Sequence, residues 1–364
     1  MKLKVSKDII LDSLQKVQSI IGTKTTLPIL SNILFKADKE KLWLSSTDLD
    51  VSIRTGVEAE IKTPGATTLP AKRVLGVFRE LPTNDIDIEV DDSDGATIKS
   101  GSSFFKLIGM SEEEFPPLPK FEGGKVYNID QGIFREMLKN TSYAASTDES
   151  RQLLNGTLLS FKADKLTTVA TDGRRMALME QELEFPKEFE ADLVLPYKTV
   201  DLLLKTLVEK GNLKIQVTAN QVAFEFGNML IVSKLVEGTY PNFRQVIPSQ
   251  CDERISVERE TLLTALRRVA VLANEKSNSV KLVFAKNRIE ITAITPDVGE
   301  ARESMAINYS GKQITIAFNP TFMMDPLKNL IMDEVFLELT DDLSPGVIKA
   351  SIPFIYVLMP MRTS

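Results

Sequence analysis

Thr47, Thr171 and Thr295 recur at a constant interval of 124 residues, and each closes the same kind of passage. The passages read "LFKADKEKLWLSSTDLD" from Leu34, "SFKADKLTTVATDGR" from Ser160 and "LVFAKNRIEITAITPDVG" from Leu282. Each is a strand-like stretch, a turn, a second strand with alternating apolar residues, and then Thr-Asp or Thr-Pro-Asp. An internal repeat constrains a fold more than any local motif does. Repeats of this length can each bury a core of their own, so they predict concatenated domains rather than a stacked solenoid.

Other landmarks keep nearly the same step. Residues 7–21, 131–146 and 259–274 read as amphipathic helices. Ile10, Leu14, Val17 and Ile21 match Leu262, Leu266, Val269 and Ala273 at i, i+4, i+7 and i+11. The middle copy keeps Phe134, Leu138 and Ala145 but puts Thr141 on the stripe. A second helix is predicted over 69–81, 195–207 and 318–330, each opening on a proline signal, with Pro326 interrupting the third. Phe115-Pro116 and Tyr240-Pro241 fall 125 residues apart. Linkers are predicted at 119–125 and 248–254, which divides the chain into α+β domains at 1–120, 125–249 and 253–364. Each should hold two helices and antiparallel sheets of many short strands.

Joining like domains head to tail reuses one heterologous interface, which propagates until a constant rotation closes it into a ring or fails to close it. A closed ring of two or more chains is therefore one architecture open to the repeat.

Composition narrows the chemistry. The 364 residues are 43% hydrophobic and 26% charged, an ordinary globular balance. Histidine is absent, which removes the commonest general base and zinc ligand and every Ser-His or Cys-His pair. Carboxylate pairs and carboxylate-bound magnesium stay open. The single cysteine, Cys251, excludes an internal disulfide. Asp8 and Asp12 interrupt the N-terminus before any signal-like apolar stretch, and no apolar run reaches membrane-span length, so a cytoplasmic protein without a membrane partner is expected. Over 6–21, 71–80, 130–146, 197–210, 258–276 and 320–330, the helical segments with their flanks carry 15 Lys and Arg against 11 Asp and Glu, although the chain has a net charge of −6. Relatively basic helices on an acidic protein suit a polyanion on the helical side; an uneven scatter of solvated charges would give the same counts.

"VATDGRRMALME" (169–180) has the look of a reaction centre. An enzyme reading makes Asp48, Asp172 and Asp297 catalytic or magnesium-binding acids, with Arg174 and Arg175 as a phosphate clamp. Yet Thr-Asp turns that recur once per repeat are separated by the symmetry of the domains, which favours turn chemistry, with Asp capping backbone N–H groups. A protein-interaction scaffold without nucleic acid is the third reading.

"TLPILSN" (26–32), "LLNGTLLSF" (153–161), "TDGRRMAL" (171–178), "EGTYPNFRQVIP" (237–248) and "YVLMPMR" (356–362) together resemble the bacterial DNA polymerase III beta subunits, the replication sliding clamps, over the whole chain. The resemblance implies a DNA clamp fold, a head-to-tail homodimer ring of six domains around duplex DNA, without enzymatic activity, cofactor or metal. Contacts would run to phosphates rather than base edges.

It also implies a peptide-binding cleft. Leu154, Thr171, Gly173, Arg174, Arg175 and Met176 would form one wall. Pro241, Gln245, Val246, Phe322, Leu343, Val357, Met359, Pro360, Met361 and Arg362 would form the others. The polymerase III catalytic subunit, the clamp loader, other polymerases and mismatch-repair proteins would insert short peptides there. Methionines suit a groove that accepts several partners. Gly173 would allow a positive φ, and Arg175 would donate to the peptide. Gln245 stands where well-known members carry Arg, Arg174 replaces a His, and Thr363 and Ser364 prolong the tail. By the same match Lys24, Lys72, Arg73, Arg151, Tyr197 and Lys198 would face DNA, with Asp148 opposing it near Arg151.

Overall fold

The computed structural model describes residues 1–22, 27–119, 121, 123–273, 278–296 and 298–362. The described chain parts into two compact units, Met1–Arg135 with Lys198–Leu235, and Glu136–Tyr197 with Val236–Ser364.

Among the described residues six α-helices form where the apolar stripes and proline signals predict them, shortened at their ends: α1 Lys7–Gln18, α2 Ala71–Glu80, α3 Gln131–Thr141, α4 Tyr197–Thr206, α5 Arg259–Ala270 and α6 Pro320–Asn329. α1 buries Ile10, Ser13, Leu14 and Val17, and α2 buries Ala71, Val74, Leu75 and Phe78, both at i, i+3, i+4, i+7. Full burial of each such large side chain contributes about 1.5–3 kcal/mol. Thr141 on the α3 stripe is fully buried, and its hydroxyl donates to the Met137 carbonyl at 2.7 Å, which satisfies it one turn back.

Pro326 does not break α6. Asn319 caps the helix through the N–H groups of Thr321 and Phe322, with Pro320 in the first turn. Proline at 326 leaves the Phe322 carbonyl without its i+4 donor. The Tyr356 hydroxyl donates to that carbonyl at 2.7 Å and replaces the missing bond.

The element order repeats as strand, helix, four strands, helix, three strands, with one additional strand, Ala59–Thr63, in the first copy. In the first unit, a five-stranded sheet runs Ala59–Thr63, Lys2–Ser6, Asp85–Val90, Gly95–Ser100, Ser103–Ile108. An eight-stranded sheet runs Lys125–Asp130, Asn212–Val217, Gln221–Phe226, Met229–Lys234, Val51–Val57, Leu42–Thr47, Asn32–Ala37, Gly65–Pro70. In the second unit, an eight-stranded sheet runs Ala191–Leu195, Thr157–Lys162, Lys165–Thr171, Arg175–Glu182, Phe354–Leu358, Gly346–Lys349, Glu334–Leu339, Glu253–Glu258. A four-stranded sheet runs Gly299–Ala306, Arg288–Thr295, Val280–Ala285, Ile314–Phe318.

Both eight-stranded sheets are made by one rule. The strand after the Thr-Asp turn of one repeat pairs antiparallel with the last strand of the next: Val51–Val57 with Met229–Lys234, and Arg175–Glu182 with Phe354–Leu358. The same rule leaves two strands over. Ser103–Ile108 ends the first repeat and Gly299–Ala306 follows the third turn; each is an edge strand among the described residues.

A second recurrence ties the helices. Lys7, the first residue of α1, donates to the carbonyls of Arg79 and Leu81 at the end of α2, at 2.9 and 2.6 Å. Arg259, the first residue of α5, donates to Leu327 and Met332 carbonyls around the end of α6, at 2.7 and 2.8 Å. Gln131 opens α3 and accepts from the Val208 N–H just beyond α4 at 3.3 Å. Cations at helix C-termini also complement the macrodipole.

Candidate functional site

The Thr-Asp turns are built alike. Asp48 Oδ1 accepts from the N–H groups of Asp50 and Val51 at 3.1 and 2.7 Å, and Asp172 Oδ1 from those of Arg174 and Arg175 at 2.8 and 3.0 Å. Thr47 Oγ1 donates to Val51 O and accepts from Leu49 N; Thr171 Oγ1 donates to Arg175 O and accepts from Gly173 N. Both turns need a positive φ at the third position, +78° at Leu49 and +87° at Gly173. These carboxylates are capping groups, so their recurrence needs no reaction to explain it. Asp297, the third of the set, lies outside the described residues.

Arg175 is held on three sides. Its Nε donates to Asp172 Oδ2 at 3.1 Å, its Nη1 to Asp325 Oδ2 at 2.5 Å and its Nη2 to the Tyr143 carbonyl at 2.7 Å. The guanidinium carbon sits 4.2 Å from the Phe322 ring centroid. Burial disfavours its charge, but Tyr356 and Asp325 beside it outweigh that and raise its pKa further. A guanidinium so committed, with three of its five N–H donors in use, braces the 171–175 turn against α6. Burial also pushes the Tyr143 and Tyr356 hydroxyls up.

Next to this lies an apolar cluster. Met176 pairs with Val357 across the sheet, and both are buried with Leu158, Val169, Leu178, Val194 and Tyr240. Leu153, Leu154 and Phe243 pack against it, half-buried. The tail continues from this strand: Met359 N–H donates to the Arg174 carbonyl at 2.9 Å and Met361 N–H to Ala317 at 2.8 Å, just before α6. Pro360 is half-buried and Met359 is 43% exposed. Thus Leu154, the 171–176 turn, Phe322 and the tail from Val357 to Met361 fall in one region of the second unit.

The remaining cleft candidates stand at the surface. Pro241, Gln245, Val246, Arg174 and Arg362 are exposed, with Val246 ending the 3₁₀ turn Phe243–Val246 that Asn242 caps. Leu343 is 72% exposed on a turn held by Asp341. Asp325, Tyr143 and Tyr356 were missed by sequence reasoning. Asp325 follows two methionines in a helix with a proline, and nothing local signals a partner 150 residues away.

The DNA-facing candidates divide by how their charge is used. Lys72 and Arg73 are exposed neighbours on the outer face of α2, with no ion pair among the described residues. Lys198 is paired with Asp48. Arg151 meets Asp148 at 3.6 Å, so part of its charge is offset within its own loop. Tyr197 opens α4 and is 55% exposed. Lys24 lies outside the described residues.

Three tandem α+β repeats joined edge to edge through antiparallel sheets define the class, a DNA clamp. Models of the DNA polymerase III beta subunit match as its N-terminal domain over residues 1–119, central domain over 128–242 and C-terminal domain over 244–362. The beta sliding clamp of Chlamydia muridarum is 36% identical over 362 residues, 100% of this chain and 99% of that one. That of Escherichia coli K12 is 32% identical over 369 residues, covering 100% of both. The crystal structure of the DNA polymerase III subunit beta from Pseudomonas aeruginosa superposes with a TM-score of 0.94 at 30% identity over the full length of both chains. The sliding clamp from Bacillus subtilis gives 0.95 at 29% identity, again over the full length of both. The chain belongs to the bacterial DNA polymerase III beta subunit family, and its function is that of a sliding clamp, a processivity factor in DNA replication. Its general partners are accordingly DNA and the polymerase. No helix among the described residues is long and apolar enough to cross a membrane.

Proposed function

We propose that two copies of the chain close head to tail into a homodimer ring of six domains, with boundaries at 1–120, 125–249 and 253–364, and that the ring encircles duplex DNA in the cytoplasm without catalysing a reaction. The observation that carries this is the pair of edge strands left by the sheet-joining rule. The third repeat offers Gly299–Ala306 and the first offers Ser103–Ile108, the same kinds of strand that pair within the chain. A heterologous contact made twice within the chain is satisfied at its two free ends by a second copy. The edges also carry apolar surface suited to burial, with Phe104 61% and Ile108 83% exposed on one, and Val298 67% and Ile294 65% exposed beside the other.

DNA is held by enclosure, with salt-sensitive phosphate contacts led by Lys72 and Arg73 and supported by Lys24, Arg151, Tyr197 and Lys198. The polymerase III catalytic subunit, the clamp loader, other polymerases and mismatch-repair proteins place short apolar peptides in the cleft formed by Leu154, Thr171, Gly173, Arg174, Met176, Pro241, Gln245, Val246, Phe322, Leu343, Val357, Met359, Pro360, Met361 and Arg362, with Arg175 bracing its wall. Sedimentation tests the dimer. A mass near twice that of one chain is expected at micromolar concentration, and a monomer at every concentration overturns the reading.

A further inference from the structure

The register of the joints between repeats carries over to the two edge strands. Leu3, Tyr127 and Ile255 each stand four residues before a helix, and two steps across the sheet lead from them to Ile98, Phe224 and Ile348. The next residue in each row, on the last strand of the repeat, is Phe105, Ile231 or Tyr356. On the other side of a joint, Ser46, Ala170 and Ala293 each stand four residues past the first buried residue of their strand, and they pair with Ile53, Ala177 and Ala301. Ile231 faces Ile53 at the first joint, and Tyr356 faces Ala177 at the second. The positions left over on the free edges are Phe105 and Ala301, each half-buried beside a buried residue, Ile98 and Ala293.

Setting Phe105 of one copy opposite Ala301 of another fixes every other pair, and a slip of one residue would turn core side chains to solvent. On the outer face Lys106 then meets Glu300 and Phe104 meets Arg302, with Cβ atoms about 5 Å apart as in any directly opposed pair. A slip of two residues one way would set Lys106 against Arg302, and the other way against Val298, so the charges select the same register as the repeat. Within one chain these groups have other partners: Lys106 reaches Asp91 at 3.2 Å and Arg302 reaches Glu300 at 2.8 Å, both in exposed pairs. The two internal joints face no opposite charges across their paired residues. Their outer-face contacts are Leu230 with Arg54 and Val232 with Ser52 at the first, and Ile355 with Leu178 and Val357 with Met176 at the second.

We infer that two copies of the chain meet in this register and exchange ion pairs as they do so: Lys106 leaves Asp91 for Glu300 of the second copy, and Arg302, released by Glu300, stacks on Phe104. The seam between copies is thereby the salt-sensitive joint of the ring, while the joints inside each chain are not. The inference rests on the ring proposed above and names the contacts that close it.

Cysteine pairs read the register, in the full-length protein with Cys251→Ser. Ser103 and Glu303 fall directly opposite each other, within reach of a disulfide. Ser103→Cys with Glu303→Cys should give a covalent dimer on a non-reducing gel at least about tenfold faster than Ser103→Cys with Ala301→Cys or with Met305→Cys, each displaced by two residues to a diagonal separation too long for an unstrained bond. Charge swaps read the exchange. Lys106→Glu and Glu300→Lys should each raise the dimer dissociation constant about tenfold in sedimentation, since each seam then opposes like charges, and the double swap should restore most of the loss. Raising salt from about 0.05 M to 0.5 M should weaken the wild-type dimer more than the dimer of Lys106→Gln with Glu300→Gln. A wild-type chain that stays monomeric overturns the ring and this inference with it. A dimer that closes faster through a displaced cysteine pair overturns the register while the ring stands. A double swap no better than the single ones, or equal salt dependence in the neutral variant, overturns the exchange.

Discussion

Arg175 and Asp325 form an ion pair at 2.5 Å that bridges the Thr-Asp turn of the middle repeat and helix α6 of the last, with side chains only 9% and 18% exposed. The pair turns a signature that reads as reactive into a strut. Asp325→Ala leaves a largely buried guanidinium with one carboxylate fewer, and should lower stability by about 3 kcal/mol in denaturant unfolding. Arg175→Lys should recover little, because the fork and the stacking on Phe322 both disappear. A change under about 0.5 kcal/mol, the size of an ordinary surface substitution, would show that the pair is not a strut.

The tail joins the buried and the exposed parts of the proposed cleft, from Val357 at 2% to Met359 at 43% exposed. Deletion of Met359 through Ser364 removes the extension of the last strand that is anchored at the Arg174 and Ala317 carbonyls. It should abolish binding of a polymerase-derived peptide in a polarisation assay while sedimentation still shows a dimer. Unchanged peptide affinity would remove the tail from the site.

At the edge strand, Ile108→Asp places a charge on an 83% exposed apolar position without touching a core. Dissociation to monomer with an unchanged thermal midpoint of the isolated chain is expected in sedimentation and calorimetry. A dimer of wild-type stability would place the subunit contact elsewhere.

Charge reversal ranks the DNA-facing residues. Lys72→Glu with Arg73→Glu removes two unpaired cations, and the log–log slope of DNA retention against salt should fall by about 0.9 for each phosphate that is no longer neutralised. Lys198→Ala should do less, since Asp48 already offsets its charge. The reverse order would contradict the assignment.

Stability should be nearly flat from about pH 5 to 9, because no histidine titrates there. The buried hydroxyls of Tyr143, Tyr240 and Tyr356 have raised pKa values, caused first by burial. A raised folded-state value means that stability is fully present below the unfolded value near 10 and is lost as pH rises from there toward the folded values. In acid the sign reverses for Asp130, whose pKa the Gly211 N–H lowers, so its contribution is lost as pH falls below about 4. Denaturant midpoints across pH check both limbs; a marked step near about pH 6.5, where an ordinary histidine would titrate, would contradict the account.

The helices and Thr-Asp turns were legible because both arise from local rules, a 3.6-residue stripe and an Asp side chain that reaches the next N–H groups. Pro326 was not, since the group that rescues α6 is Tyr356, 34 residues away from the carbonyl it serves. Arg175 shows the same limit. Its residue type suggests donation outward, and only Asp325 and Tyr143, brought in by tertiary packing, reveal that part of its fork is used inside. The pairing of Met176 with Val357 likewise depends on sheet register between repeats, which no spacing in the chain specifies.

Enclosure is tested most directly by topology. Protein loaded onto a nicked circular plasmid should stay bound through gel filtration, and should be lost within minutes when a single restriction cut linearises the circle. Equal retention on circular and linear DNA would contradict a ring that holds its substrate by encircling it.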